Sequence, residues 1–137
     1  MKIALFFHLY QPPTQFREVT RSIVRSCYSP LFSLIRKYPA VRLTINTPAS
    51  FWEQVIGVGA GSLREDLVEV VRSGRVELTQ TAAFHPLLTK ISADEVRRQV
   101  CLNRELLEGL LGGDFVGSGF FPPEMAYNER VGEILAE

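Results

Sequence analysis

Several stretches of this chain set a polar or ionisable side chain directly behind an apolar run, where a fold can hold it still. In Gly119-Phe-Phe-Pro-Pro-Glu124-Met-Ala-Tyr127, a carboxylate follows two prolines. Each proline fixes φ and lacks a backbone donor, so a strand cannot continue through them and Glu124 sits in stiff backbone. That is where α/β barrels keep their chemistry, just past the C-terminal end of a strand. Read alone, Glu124 has a simpler role as well: its charge could cap the helix that follows. Three other stretches repeat the arrangement. His8, Tyr10 and Gln11 come after Lys2-Ile-Ala-Leu-Phe-Phe and before Pro12-Pro13, Asn46 comes after Val41-Arg-Leu-Thr-Ile45, and His85 follows Arg75–Thr81. Each has an innocent reading too, since a histidine at a strand end is often structural and Asn46-Thr47-Pro48 is ordinary turn chemistry.

The elements that must position these residues follow from periodicity. The first run, rich in Ile and Phe, suits a strand covered on both faces. Phe16 to Lys37 repeats apolar residues at helical spacing, and Pro30 is expected to divide it into two helices. Phe51, Trp52, Val55 and Ile56 suit a short helix, Gly57, Gly59 and Gly61 a joint, and Leu63–Arg72 a further helix ending at Gly74. In the third strand Glu77, Thr79 and Thr81 share one face, opposite Val76, Leu78 and Gln80. Inside a closed barrel that polar face would be the lumen, with Glu77 in it. Ser92-Ala-Asp-Glu95 fits a capping box opening a helix whose apolar positions are Val96, Val100, Leu102, Leu106, Leu107 and Leu110. Phe115, Val116, Phe120 and Phe121 read as the fourth strand, and a last helix starts near Asn128.

Four strand-then-helix units imply parallel strands with right-handed crossovers. The polar residues then gather at one end of the sheet, the end where such folds bind substrate. A closed barrel needs roughly 200 residues or more, and this chain has 137. The expectation is an α/β fold, residues 1–137 forming the N-terminal half of a barrel.

Composition narrows the partner. Lys plus Arg and Asp plus Glu are 15 each, a net charge of zero, so there is no basic surface for nucleic acid or anionic membrane, and a neutral polar ligand fits better. No apolar run approaches the roughly 20 residues of a membrane helix, and the opening run meets His8 too early for a signal peptide. Cys27 and Cys101 match no disulfide or zinc spacing and are expected to be buried thiols in a reducing, cytoplasmic setting.

The motifs resemble glycoside hydrolase family 57. His8-Leu-Tyr-Gln11-Pro12 is similar to its His-Gln-Pro signature, with two residues inserted. Gly74-Arg-Val-Glu77 leading to His85-Pro86 is similar to the second signature. Phe121-Pro-Pro-Glu124-Met-Ala-Tyr127 resembles the third, which carries the nucleophile. The resemblance implies an incomplete seven-stranded (β/α) barrel acting mainly on α-glucans, with Glu124 as the nucleophile of a retaining mechanism. It also implies that His8, Gln11, Asn46, Glu77, His85 and Tyr127 contact sugar or support the carboxylate, and that no cofactor or metal is needed. The family's acid/base is an Asp on a later strand that this sequence does not reach, so the chain alone should be inactive. Two alternatives stand beside this reading. One is a member that binds glucan without cleaving it; the other is a metal-dependent deacetylase or mannosidase-like barrel, for which His8 and His85 are the only histidines.

Overall fold

Alternation along each strand decides how the sheet is used. The computed structural model describes residues 3–112, 117 and 119–137, and among them three parallel strands lie side by side in chain order: β1 (Phe6–His8), β2 (Leu43–Asn46) and β3 (Val76–Thr79). The register aligns Phe7 with Ile45 and Ile45 with Leu78, so these residues project from one face, and His8, Asn46 and Thr79 align on the other. Leu43, Ile45, Val76 and Leu78 are buried beneath the helices. Phe6, Thr44 and Glu77 line the opposite, open face.

Six α-helices accompany this sheet among the described residues: α1 (Arg17–Ile23), α2 (Ser29–Lys37), α3 (Ala49–Gly57), α4 (Ser62–Arg72), α5 (Ala93–Leu111) and α6 (Glu129–Leu135). The main core joins the sheet to α2, α3, α4 and the end of α5 through Phe32, Phe51, Trp52, Leu67 and Leu107. Its aromatic centre is edge-to-face: Phe51 meets Tyr28 at 4.8 Å and Trp52 at 4.9 Å. A second, smaller core of Ala82, Leu88, Val96, Val131 and Ile134 fastens α5 and α6 to the loop after β3. The helix ends follow their sequence signals. Ser92 Oγ accepts from Glu95 N, Gly112 closes α5 at φ 68°, and Asn128 Oδ1 accepts from Val131 N.

Four expectations are corrected. Pro30 does not split the first helical region: α1 runs through a π-helical turn, Val24–Tyr28, straight into α2. The wider π turn gives the proline ring room against the preceding carbonyls. The first strand is not covered on both faces, because Phe6 is 43% exposed on the open side and Ile3 and Leu5 are exposed beside it. The fourth strand is an isolated parallel bridge between Gln80 and Phe120, made by Gln80 N to Gly119 O at 2.7 Å and Phe121 N to Gln80 O at 2.9 Å. Pro122 and Pro123 stop it there; Phe115 and Val116, expected in the same strand, lie outside the described residues. Cys27 and Cys101 are both exposed. Cys101 lies off the buried stripe of α5, its thiol against Glu105.

Candidate active site

The C-terminal ends of the strands bring the two histidines together. His8 ends β1, and the His8 and His85 rings stack with centroids 4.8 Å apart. Tyr10 lies against His85 at 4.5 Å, and Phe121 flanks His8 at 6.0 Å. His85 Nε2 then meets Glu124 Oε1 at 3.3 Å. With Met125, the residues His8, His85, Phe121 and Glu124 line a cavity of about 190 Å³. The His85 side chain is 6% exposed and that of Glu124 69%, so the carboxylate stands at the mouth with the imidazole behind it.

The local backbone is unusual at these positions. Among the described residues, the non-glycine residues with positive φ are His85 (57°), Glu124 (56°) and Met125 (54°). A left-handed conformation costs an L-residue roughly 1–2 kcal/mol, and such strain gathers where function needs a fixed geometry. At Glu124 it falls directly after Pro122 and Pro123, within a short 3-10 turn closed by Met125 N to Pro122 O. The capping role for Glu124 does not hold: the cap of α6 is Asn128, and Glu129 is the acid in its first turn.

Burial, and then the neighbouring His8, hold His85 below the usual histidine range, partly opposed by the contact with Glu124. The ring is therefore neutral at neutral pH. Since a carboxylate oxygen accepts, the proton sits on Nε2, and Nδ1 is buried with no hydrogen-bond partner among the described residues. Burial, with the charge of Glu124 second, raises the phenol of Tyr10, which stays a neutral donor.

The other candidate residues occupy different places. Asn46 is fully buried directly behind His8: its Oδ1 is 2.8 Å from His8 Nδ1, and its Nδ2 donates to Thr79 Oγ1 at 2.9 Å. Gln11 is buried too, donating to Tyr28 Oη at 2.6 Å, while Tyr28 donates to the Tyr10 carbonyl. It braces the loop that carries Tyr10. Glu77 lies on the open face one pleat below the cluster, where Thr44 Oγ1 donates to its carboxylate at 3.4 Å. Tyr127 is exposed and packs over α6 at Gly132, where a Cβ would lie 2.1 Å from its hydroxyl.

A model of glycosyl hydrolase family 57 matches residues 6–137. The chain belongs to this family. Its fold is that of part of a family 57 barrel. It superimposes on 4-α-glucanotransferase from Thermococcus litoralis with a TM-score of 0.87 at 18% identity, covering 98% of this chain and 21% of that one. An α-amylase from Thermotoga maritima gives 0.80 at 14% identity, covering 98% and 38%. A family 4 carbohydrate esterase from Streptomyces lividans gives 0.65 at 17% identity, covering 98% and 57%. These likenesses are of fold. The chain spans only about a fifth to three fifths of the structures it matches. No curated protein sequence matches it.

Two residues of this family 57 domain escaped the reading of periodicity. Gln99 and Asn103 lie in the buried stripe of α5, which runs Val96, Gln99, Asn103, Leu107, Leu110 and Leu111. Gln99 Oε1 accepts from Phe84 N and its carbonyl from Ala83 N, holding the loop that presents His85. Asn103 Oδ1 accepts from Ala49 N at 2.7 Å and so caps α3 from a neighbouring helix. The available signal was an amide at helical spacing between apolar positions, which is costly unless it is bonded. Among the described residues, no three His, Cys, Asp or Glu side chains gather as a metal-ligand group, and no helix is long and apolar enough to cross a membrane.

Proposed function

We propose that residues 1–137 are the N-terminal part of the catalytic domain of a retaining α-glucan hydrolase or 4-α-glucanotransferase, with Glu124 as its nucleophile. The observation that carries this reading is the fixed presentation of Glu124: strained backbone behind two prolines, one oxygen bonded by neutral His85, and the carboxylate open to a cavity. Membership of family 57 and the likeness to a glucanotransferase and an amylase support the choice of substrate. The Glu124 carboxylate attacks the anomeric carbon and a C–O bond to the protein forms. The glycosidic C–O bond breaks as a carboxylic acid elsewhere in the protein protonates the departing oxygen. Water or a sugar hydroxyl, deprotonated by that same group, then displaces Glu124. His8 and Tyr10 offer polar edges to sugar hydroxyls, His85 supports the carboxylate, and Phe121 and Met125 offer apolar contact.

The test is release of reducing sugar, and change in chain length, from maltooligosaccharides by the complete protein. Glu124→Gln should lower turnover roughly a thousandfold or more with an unchanged melting midpoint. Equal turnover in both proteins would remove Glu124 from the nucleophile role. Glucan binding without turnover in the wild type would make this a non-catalytic member of the family.

A further inference from the structure

We infer that Asn46 is a positioning residue: it fixes the proton of His8 on Nδ1, so that Nε2 faces the cavity as an obligate acceptor and selects a sugar hydroxyl there. The inference deepens the glucan reading and rests on it for the identity of the donor. The hydrogen-bond directions follow from groups that have no choice. The Gln80 carbonyl can only accept, and it already takes Phe121 N at 2.9 Å in the bridge beyond β3. Asn46 Nδ2 lies 3.4 Å from that carbonyl and 2.9 Å from Thr79 Oγ1. Reversing the amide would set two carbonyl oxygens against each other at 3.4 Å in a fully buried place, so the NH₂ group must face Gln80 and the oxygen must face His8.

Asn46 Oδ1 then accepts from His8, and the proton of the neutral ring is on Nδ1. Among the described residues no hydrogen bond reaches the other ring nitrogen, and His8 lines the cavity beside Glu124. The two histidines therefore play opposite parts. His85 donates through Nε2 to the carboxylate, while His8 presents Nε2 as a lone pair to the ligand. Asn46 reaches no ligand itself; it acts only through His8.

The direct measurement is the tautomer of His8 in the complete protein labelled with ¹⁵N-histidine, its signal assigned by loss in His8→Gln. The wild type should carry the proton on Nδ1. Asn46→Leu should release the ring to the Nε2–H form or a mixture. Thr79→Val, which leaves the Gln80 carbonyl in place, should retain Nδ1–H. A wild-type ring protonated on Nε2, or an Nδ1–H form that persists in Asn46→Leu, overturns the inference. Kinetics give a second readout with monodeoxy maltooligosaccharides. One deoxy position should cost the wild type about tenfold in kcat/KM, the size of one neutral hydrogen bond, and cost Asn46→Leu nothing further. A deoxy penalty undiminished in Asn46→Leu also overturns it. If the protein turns over no glucan, the glucan reading fails, and the tautomer still decides the role of Asn46.

Discussion

His85 gives the candidate site a pH signature. Its folded pKa lies below the unfolded value of about 6.5, chiefly through burial and then through His8, so the unfolded chain binds more protons as the pH falls. The stability it contributes is therefore fully present above about pH 6.5 and is lost as the pH drops through the lower folded value. The groups facing the ring are His8, Tyr10 and Glu124. Melting midpoints of the complete protein should fall between pH 7.5 and 5, and part of that slope should vanish in His85→Gln. A slope identical in the two proteins would mean that His85 is not the group responsible. The strain at His85, Glu124 and Met125 belongs to the same scale: three residues near one another accept left-handed backbone that glycine would adopt freely, and none of them is glycine.

At the scale of elements, the site depends on joints more than on strands. Asn103 satisfies Ala49 N at the start of α3, and Gln99 holds two amides of the loop after β3. Asn103→Leu would leave a buried N–H without a partner, costing about 1–3 kcal/mol. Urea unfolding should show that loss with an unchanged m-value, whereas a shift of under half a kcal/mol would mean water replaces the side chain. These contacts also mark where sequence reading stops. The starts of α5 and α6 were legible because caps act within a few residues, and the break after Phe121 was legible because two prolines impose it locally. Gln99 and Asn103 were not, because their partners lie 15 and 54 residues away. The same reason hid the contact of Gln11 with Tyr28, which lies 17 residues further along the chain. Pro30 misled in the opposite direction: its local rule holds, but the π turn absorbs it.

At the scale of the whole molecule, the sheet covers one of its faces. Helices bury the side of Ile45 and Leu78, while Phe6, Thr44 and Glu77 look outward and, among the described residues, β1 has β2 as its single strand neighbour. Ile3 and Leu5 extend the exposed apolar strip along that edge. An uncovered edge with apolar neighbours is a template for pairing with another chain. The structures this chain matches are longer, so the corresponding face has further chain available to cover it there. Residues 1–137 produced alone should therefore associate in a concentration-dependent way by sedimentation velocity and bind a hydrophobic dye. Phe6→Lys should reduce both, because charge on an edge strand opposes pairing while the buried face stays intact. A monomer at every concentration, with no dye bound, would mean that the exposed face is self-sufficient and that the half-barrel can stand as a folded unit by itself.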